Sequence, residues 1–166
     1  MFRFKGVVLV EVIVAISIVL TGIVATYTLA TRAIGLNRVV AERHIATYLA
    51  AEGIEMVKNF IDSNVLAGQP WNRGLSDGRY ELDYSSANNM FSLVLTGAIV
   101  RPLNYDPATG HYLFSGSFPA TRFRRLITLA NLGGGNELRV ESRVDWETRG
   151  GATFAVDLEN HFFNWR

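Results

Sequence analysis

Glu11 is the one charged side chain between Val7 and Ala30, a run of 24 residues without Lys, Arg, Asp or Pro. In such surroundings a carboxylate has two uses. It can sit in the first turn of a helix, complement the positive end of the dipole and snorkel to headgroup water. Otherwise it is kept for a cationic partner, since a carboxylate at mid-bilayer costs about 3 kcal/mol on insertion scales. Taken alone, Glu11 leaves both uses open. The other reactive side chains are scattered: His44, His111 and His161 have neither metal-ligand spacing nor a neighbouring nucleophile. No phosphate-cradling glycine motif occurs, and the chain has no cysteine. The expectation is a protein that is not an enzyme, with no catalytic residue, no metal and no cofactor. Arg122, Arg124 and Arg125 with Phe123 could form a basic, aromatic surface for DNA. A solvated strand face takes precedence, because a nucleic-acid patch should dominate its domain and Glu137, Glu141, Asp145 and Glu147 balance these charges.

The elements that carry these residues follow from hydropathy and period. As a helix rising ~1.5 Å per residue, residues 7–30 would cross a ~30 Å hydrocarbon core. The run is too long for a secretory signal, whose apolar core is roughly 7 to 15 residues, and no Ala-x-Ala follows it. Arg3 and Lys5 at one end face Arg32, Arg38 and Arg43 at the other, so the positive-inside rule leaves the orientation open. Beyond Arg32, the residues Ala41, Ile45, Leu49, Met56 and Phe60, flanked by Tyr48, Val57 and Ile61, recur at helical spacing. The pattern predicts one helix from Val7 to about Ser63, apolar all round over 7–30 and amphipathic over 31–63. Gly22 and Gly35 weaken it, as glycine costs up to ~1 kcal/mol in a helix interior, although small residues also let membrane helices approach closely. Gly22 is the candidate for local melting or bending. Glu52 borders the apolar stripe beside Gly53, while Glu55 lies nearer the polar side. Glu52 is expected to make a structural helix–sheet contact through a loop or strand backbone, since no acidic or histidine partner for catalysis adjoins it.

A short basic leader, Met1 to Gly6, ends in glycine, and Glu11 stands five residues into the apolar run that follows. This combination resembles the type IV prepilins and pseudopilins. The resemblance implies cleavage between Gly6 and Val7 by a prepilin peptidase on the cytoplasmic side, and N-methylation of Val7. It also implies assembly through the N-terminal helix into a filament, after residence in the cytoplasmic membrane and with the help of an inner-membrane assembly platform. In that family the Glu11 carboxylate meets the processed amino terminus of an adjacent subunit. Val7 and Val8 depart from the family's usual Phe or Met followed by a hydroxyl residue, and the absence of cysteine departs from the disulfide-bounded loop of many such pilins. Ala50-Ala51-Glu52-Gly53-Ile54-Glu55 is similar to a stretch in minor pilins, which makes a minor subunit the expectation. The alternative of another class is a permanently anchored single-pass protein whose extracytoplasmic domain binds a ligand.

Residues 64–166 are expected to form one antiparallel β-sheet domain, with about 100 residues being enough for a single modest core. Gln69-Pro70-Trp71-Asn72 and Ser76-Asp77-Gly78 read as a loop leading to Tyr80, Leu82 and Tyr84, which alternate with Arg79, Glu81 and Asp83. Leu138, Val140, Ser142, Val144 and Trp146 share one face of a strand, with Glu137, Arg139, Glu141, Arg143 and Asp145 on the other. Gly133-Gly134-Gly135 joins it to the stretch Phe123 through Leu129, and Gly150-Gly151 joins it to Phe154-Val156-Leu158, which predicts three consecutive antiparallel strands. A further strand is expected near Phe91 to Val100, and Asn104 to Pro119 as a long loop around a short strand at Tyr112 to Phe114. The fold class is α+β, with a long N-terminal helix packed by its second half against an antiparallel sheet.

Overall fold

The alternation of apolar and charged residues after Ala120 forms the centre of the sheet. The computed structural model describes residues 5–82, 92–93, 100–114, 118–148 and 150–164. One helix, α1 (Lys5–Leu66), precedes strands β1 (Gly78–Glu81), β2 (Ser92–Leu93), β3 (Pro102–Tyr105), β4 (Tyr112–Leu113), β5 (Ala120–Leu132), β6 (Glu137–Glu147) and β7 (Thr153–Phe163). The chain divides into two units, Met1–Glu42 and Arg43–Arg166.

In the first unit α1 is a bare helix, and every described side chain from Val7 to Arg38 is exposed. Its hydroxyls are satisfied within the helix itself. Ser17, Thr21, Thr26 and Thr28 each donate to the carbonyl four residues back at 2.8 Å. This removes the cost of placing a free hydroxyl in an apolar solvent.

In the second unit all strand pairings are antiparallel. β5, β6 and β7 form the expected meander through the two glycine turns, where Gly133, Gly134 and Gly151 take positive φ. The free edge of β5 is then divided between two short partners. β1 pairs with its C-terminal half, Tyr80 opposite Ile127, and β3 with its N-terminal half, Pro102 opposite Arg124. β2 adds to β1 and β4 to β3, giving a seven-stranded sheet.

On β6, Leu138, Val140, Ser142, Val144 and Trp146 are all buried, as the period of two requires. The buried face of α1 differs from the expected stripe. Ala46, Leu49, Ala50, Gly53, Met56, Val57 and Ile61 are buried, whereas Ala41, Ile45 and Tyr48 stay exposed. The sheet contacts the side of the helix where Ala46, Ala50 and Gly53 are small, because backbone approach there buries more surface than a row of large side chains would. Glu81, expected on the solvent side of β1, is buried as well; it accepts from Arg101 N at 2.8 Å and from its guanidinium. Asn104 and Tyr105, expected in a loop, lie in β3, and Asp106 closes the β3–β4 turn by accepting from Ala108 N and Thr109 Oγ1, both at 2.8 Å. These two bonds hold the Asp106 carboxyl below its usual range. Of the strand expected at Phe91 to Val100, Ser92–Leu93 is seen paired to β1 and most of the remainder lies outside the described residues, as do Asp83 and Tyr84.

Candidate functional site

Two places bring the singled-out residues together. The first is the start of α1. Gly6 lies within the helix, and Val7 and Glu11 are both exposed on it, four residues apart and so on one face. Among the described residues the Glu11 carboxylate has no hydrogen-bond or ionic partner. Gly22 sits in unbroken helix with open space around the position a Cβ would take.

The second place is a polar layer that divides the core of the β-domain. On one side Met56, Val57 and Ile61 pack with Leu75, Tyr80, Leu82, Ile127, Leu129, Leu138 and Val140. On the other side Ala46, Leu49 and Ala50 pack with Leu103, Phe123, Val144 and Trp146. Between them lie Glu52 and Gly53 of α1, Arg125 of β5 and Ser142 of β6. Arg125 is wholly buried, and its guanidinium spans three elements. Nη1 donates to Glu52 Oε2 and to Leu49 O, both at 3.0 Å, and Nε and Nη2 fork onto the carbonyl of Leu82, the residue that follows β1. The Leu49 carbonyl can take part because a helical C=O keeps a second lone pair. A Cβ at Gly53 would lie 2.6 Å from both Ile127 Cδ1 and Ser142 Oγ, so this glycine is where helix and sheet touch. The partner of Glu52 is thus a buried guanidinium, where sequence reasoning expected a main-chain group.

Arg122, Arg124 and Arg125 do not form the shared surface that their spacing suggests. The three separate: Arg124 is exposed, Arg122 half-buried and Arg125 turned toward the helix. The signal in the sequence was Arg125 sharing the β5 face of Phe123, Ile127 and Leu129. Among the described residues no group of His, Asp and Glu could hold a metal ion.

No protein-family model, curated protein or solved structure matches the chain. One helix, apolar and long enough to cross a membrane, is followed by an antiparallel sheet, a layout compatible with a pilin-like architecture and with a single-pass membrane-anchored protein carrying a β-domain.

His161, on the solvent face of β7, lies between two carboxylates. Nδ1 meets Glu137 Oε1 across the strand pair, and Nε2 meets Glu159 Oε1 at 3.1 Å. Their hydrogen bonds, Glu137 foremost, raise its pKa above 6.5. A raised folded pKa contributes stability that is fully present below about pH 6.5 and is lost as pH rises through the folded value. His161→Gln should therefore lower the urea midpoint at about pH 5.5 and leave it unchanged at about pH 9. Equal effects at both pH values would show that the ring's charge is not involved.

Proposed function

We propose that this chain is a structural subunit, in a minor position, of a filament of the type IV pilus or pseudopilus kind. What supports this reading is the all-round exposure of the apolar start of α1, together with a Glu11 that, one turn after Val7, has no partner among the described residues. In lipid before assembly, the apolar side chains are solvated by acyl tails, while Glu11 remains a cost. In this reading a prepilin peptidase removes Met1 to Gly6 and N-methylates Val7, creating an ammonium. On assembly the helices of neighbouring subunits bundle, and each Glu11 meets the ammonium of an adjacent Val7. An ion pair far from water is favourable only when both charges are matched, so the charge specifies the register of packing. Gly22 offers a point where the helix can loosen as it packs.

The deciding experiment measures the intact mass of the mature chain and the amount of chain in sheared filaments relative to the membrane pool. The wild-type protein should begin at Val7 and be found in filaments. Glu11→Val should insert and be cleaved normally, yet enter filaments about tenfold less or worse, an effect of roughly 1.4 kcal/mol or more per subunit. A mature chain that retains Met1, or equal incorporation of the variant, would instead favour a permanently anchored binding protein with a snorkelling Glu11.

A further inference from the structure

An open cleft of 570 Å³ lies where α1 ends, and among the described residues no charged side chain lines it. It is lined by Trp71, by the amide-bearing residues Gln69, Asn72 and Asn164, and by the glycines Gly134 and Gly135 of the β5–β6 turn. Trp71 is half-buried and packs against the core cluster of the β-domain. The loop that carries it is tied to the helix, because Asn64 Nδ2 donates to Trp71 O at 3.1 Å and to Arg73 O at 2.9 Å. The aromatic surface is therefore fixed in place.

The polar groups are oriented as well. Arg73 Nη1 donates to Gln69 Oε1 at 2.7 Å. A guanidinium only donates, so the amide oxygen faces it and the Gln69 NH₂ is left as a donor. Next to Asn72, Asp77 Oδ1 accepts from Asn131 N at 2.6 Å and from Asn131 Nδ2 at 2.9 Å, and Leu75 O accepts from Nδ2 at 2.8 Å. A carboxylate and a carbonyl take only donors, so the Asn131 amide cannot be reversed, and its Oδ1 faces Asn72 Nδ2 at 3.4 Å. Asn72 thus uses its amine on Asn131 and keeps Oδ1 as an acceptor. Among the described residues, Gln69 Nε2, Asn72 Oδ1 and the Asn164 side chain have no hydrogen-bond partner.

We propose that this cleft is a binding site for a neutral saccharide, which stacks a sugar ring on Trp71 and spans Gln69 and Asn72 with its hydroxyls. A hydroxyl both donates and accepts, so neighbouring hydroxyls satisfy a fixed donor and a fixed acceptor together. The apolar C–H face of a pyranose suits an indole surface. The lining residues carry no charge and the adjoining Arg73 guanidinium is engaged by Gln69 Oε1, so a phosphate or carboxylate, costly to desolvate, gains less here than a neutral ligand. Asp77 and Arg73 act as positioning residues: they hold the amides that touch the sugar. The site does not depend on filament assembly.

The test uses the full chain in a detergent without a sugar headgroup, since maltosides and glucosides would themselves compete. Maltose, lactose and N,N′-diacetylchitobiose are titrated while the Trp71 indole N–H and the Gly134 and Gly135 amides are followed by NMR, with glucose 6-phosphate and galacturonic acid as charged controls. At least one neutral sugar should give saturable shifts confined to this cleft. Trp71→Ala should weaken binding roughly tenfold or more, the scale of one lost aromatic contact. Asn164→Ala, an exposed change that leaves the fold intact, should weaken it several-fold. Asp77→Ala should also weaken it, with the Trp71 resonance itself unmoved. The proposal is overturned if no neutral sugar shifts these signals, if the shifts persist undiminished in both Trp71→Ala and Asn164→Ala, or if the charged controls bind equally well.

Discussion

Arg125→Met is expected to lower the unfolding free energy of the β-domain by about 3 kcal/mol, the lower end of what breaking a buried ion pair costs. The lower end applies because Glu52 is 32% exposed and can take water once its partner is gone. The Leu82 carbonyl cannot, since Leu82 is fully buried and Arg125 is bound to it through both Nε and Nη2. Methionine fills much of the space but donates nothing, so an acceptor is left unsatisfied. Arg125→Lys should rescue little, as a compact ammonium cannot fork onto one carbonyl while reaching Glu52 and Leu49. Glu52→Gln keeps an acceptor and should cost about 1 kcal/mol. Urea unfolding of the full-length variants, followed by tryptophan fluorescence to which buried Trp146 contributes, measures all three. A neutral Arg125→Met would mean that the guanidinium does not join α1, β1 and β5 as described. Replacing the pair together, as Arg125→Met with Glu52→Leu, should recover part of the loss, because matched apolar groups carry no desolvation cost.

Gly53→Leu is expected to abolish the stable β-domain, and Gly53→Ala to destabilise it by about 1–3 kcal/mol, the usual cost of overpacking. The sign is the informative part. In an ordinary helix interior the alanine change gains up to ~1 kcal/mol. At Gly35, where a Cβ meets nothing within 4 Å, it should show that gain. At Gly53 the new Cβ runs into Ile127 Cδ1 and Ser142 Oγ and comes within 3.2 Å of Arg125 Cδ, side-chain atoms packed in the core between α1 and the central strands. Deleting the first two atoms by Ile127→Val and Ser142→Ala should remove most of the cost of Gly53→Ala, leaving only the closer approach to Arg125 Cδ. Thermal unfolding of the single, double and triple variants decides this. A Gly53→Ala protein as stable as wild type would place the helix farther from the sheet.

The burial of Arg125 and the close approach at Gly53 are not properties of the local sequence, and the reason is physical. What the sequence determined is local. The apolar run after Gly6, the placement of Glu11 within it, the two-residue alternation of β6 and the glycine turns on either side each lie within a few residues of chain. Periodicity and turn chemistry therefore fix the long helix and the β5–β6–β7 meander, and they define the α+β class.

Tertiary structure decided which groups meet across 40 to 80 residues of chain, a span that appears in the |i−j| separations of the Arg125 contacts, 43 to Leu82 and 76 to Leu49. An arginine in a strand of mixed pattern carries no mark of burial until a helical carboxylate and a strand-end carbonyl arrive to compensate it. Likewise the buried face of α1 went to the small residues, because the depth to which a sheet can approach depends on both surfaces at once. The cleft at Trp71 combines a helix end, two turns and Asn164, four stretches of chain that only the closed fold makes neighbours. Side-chain identity sets what each group can donate or accept, but a partner's position is a property of the fold.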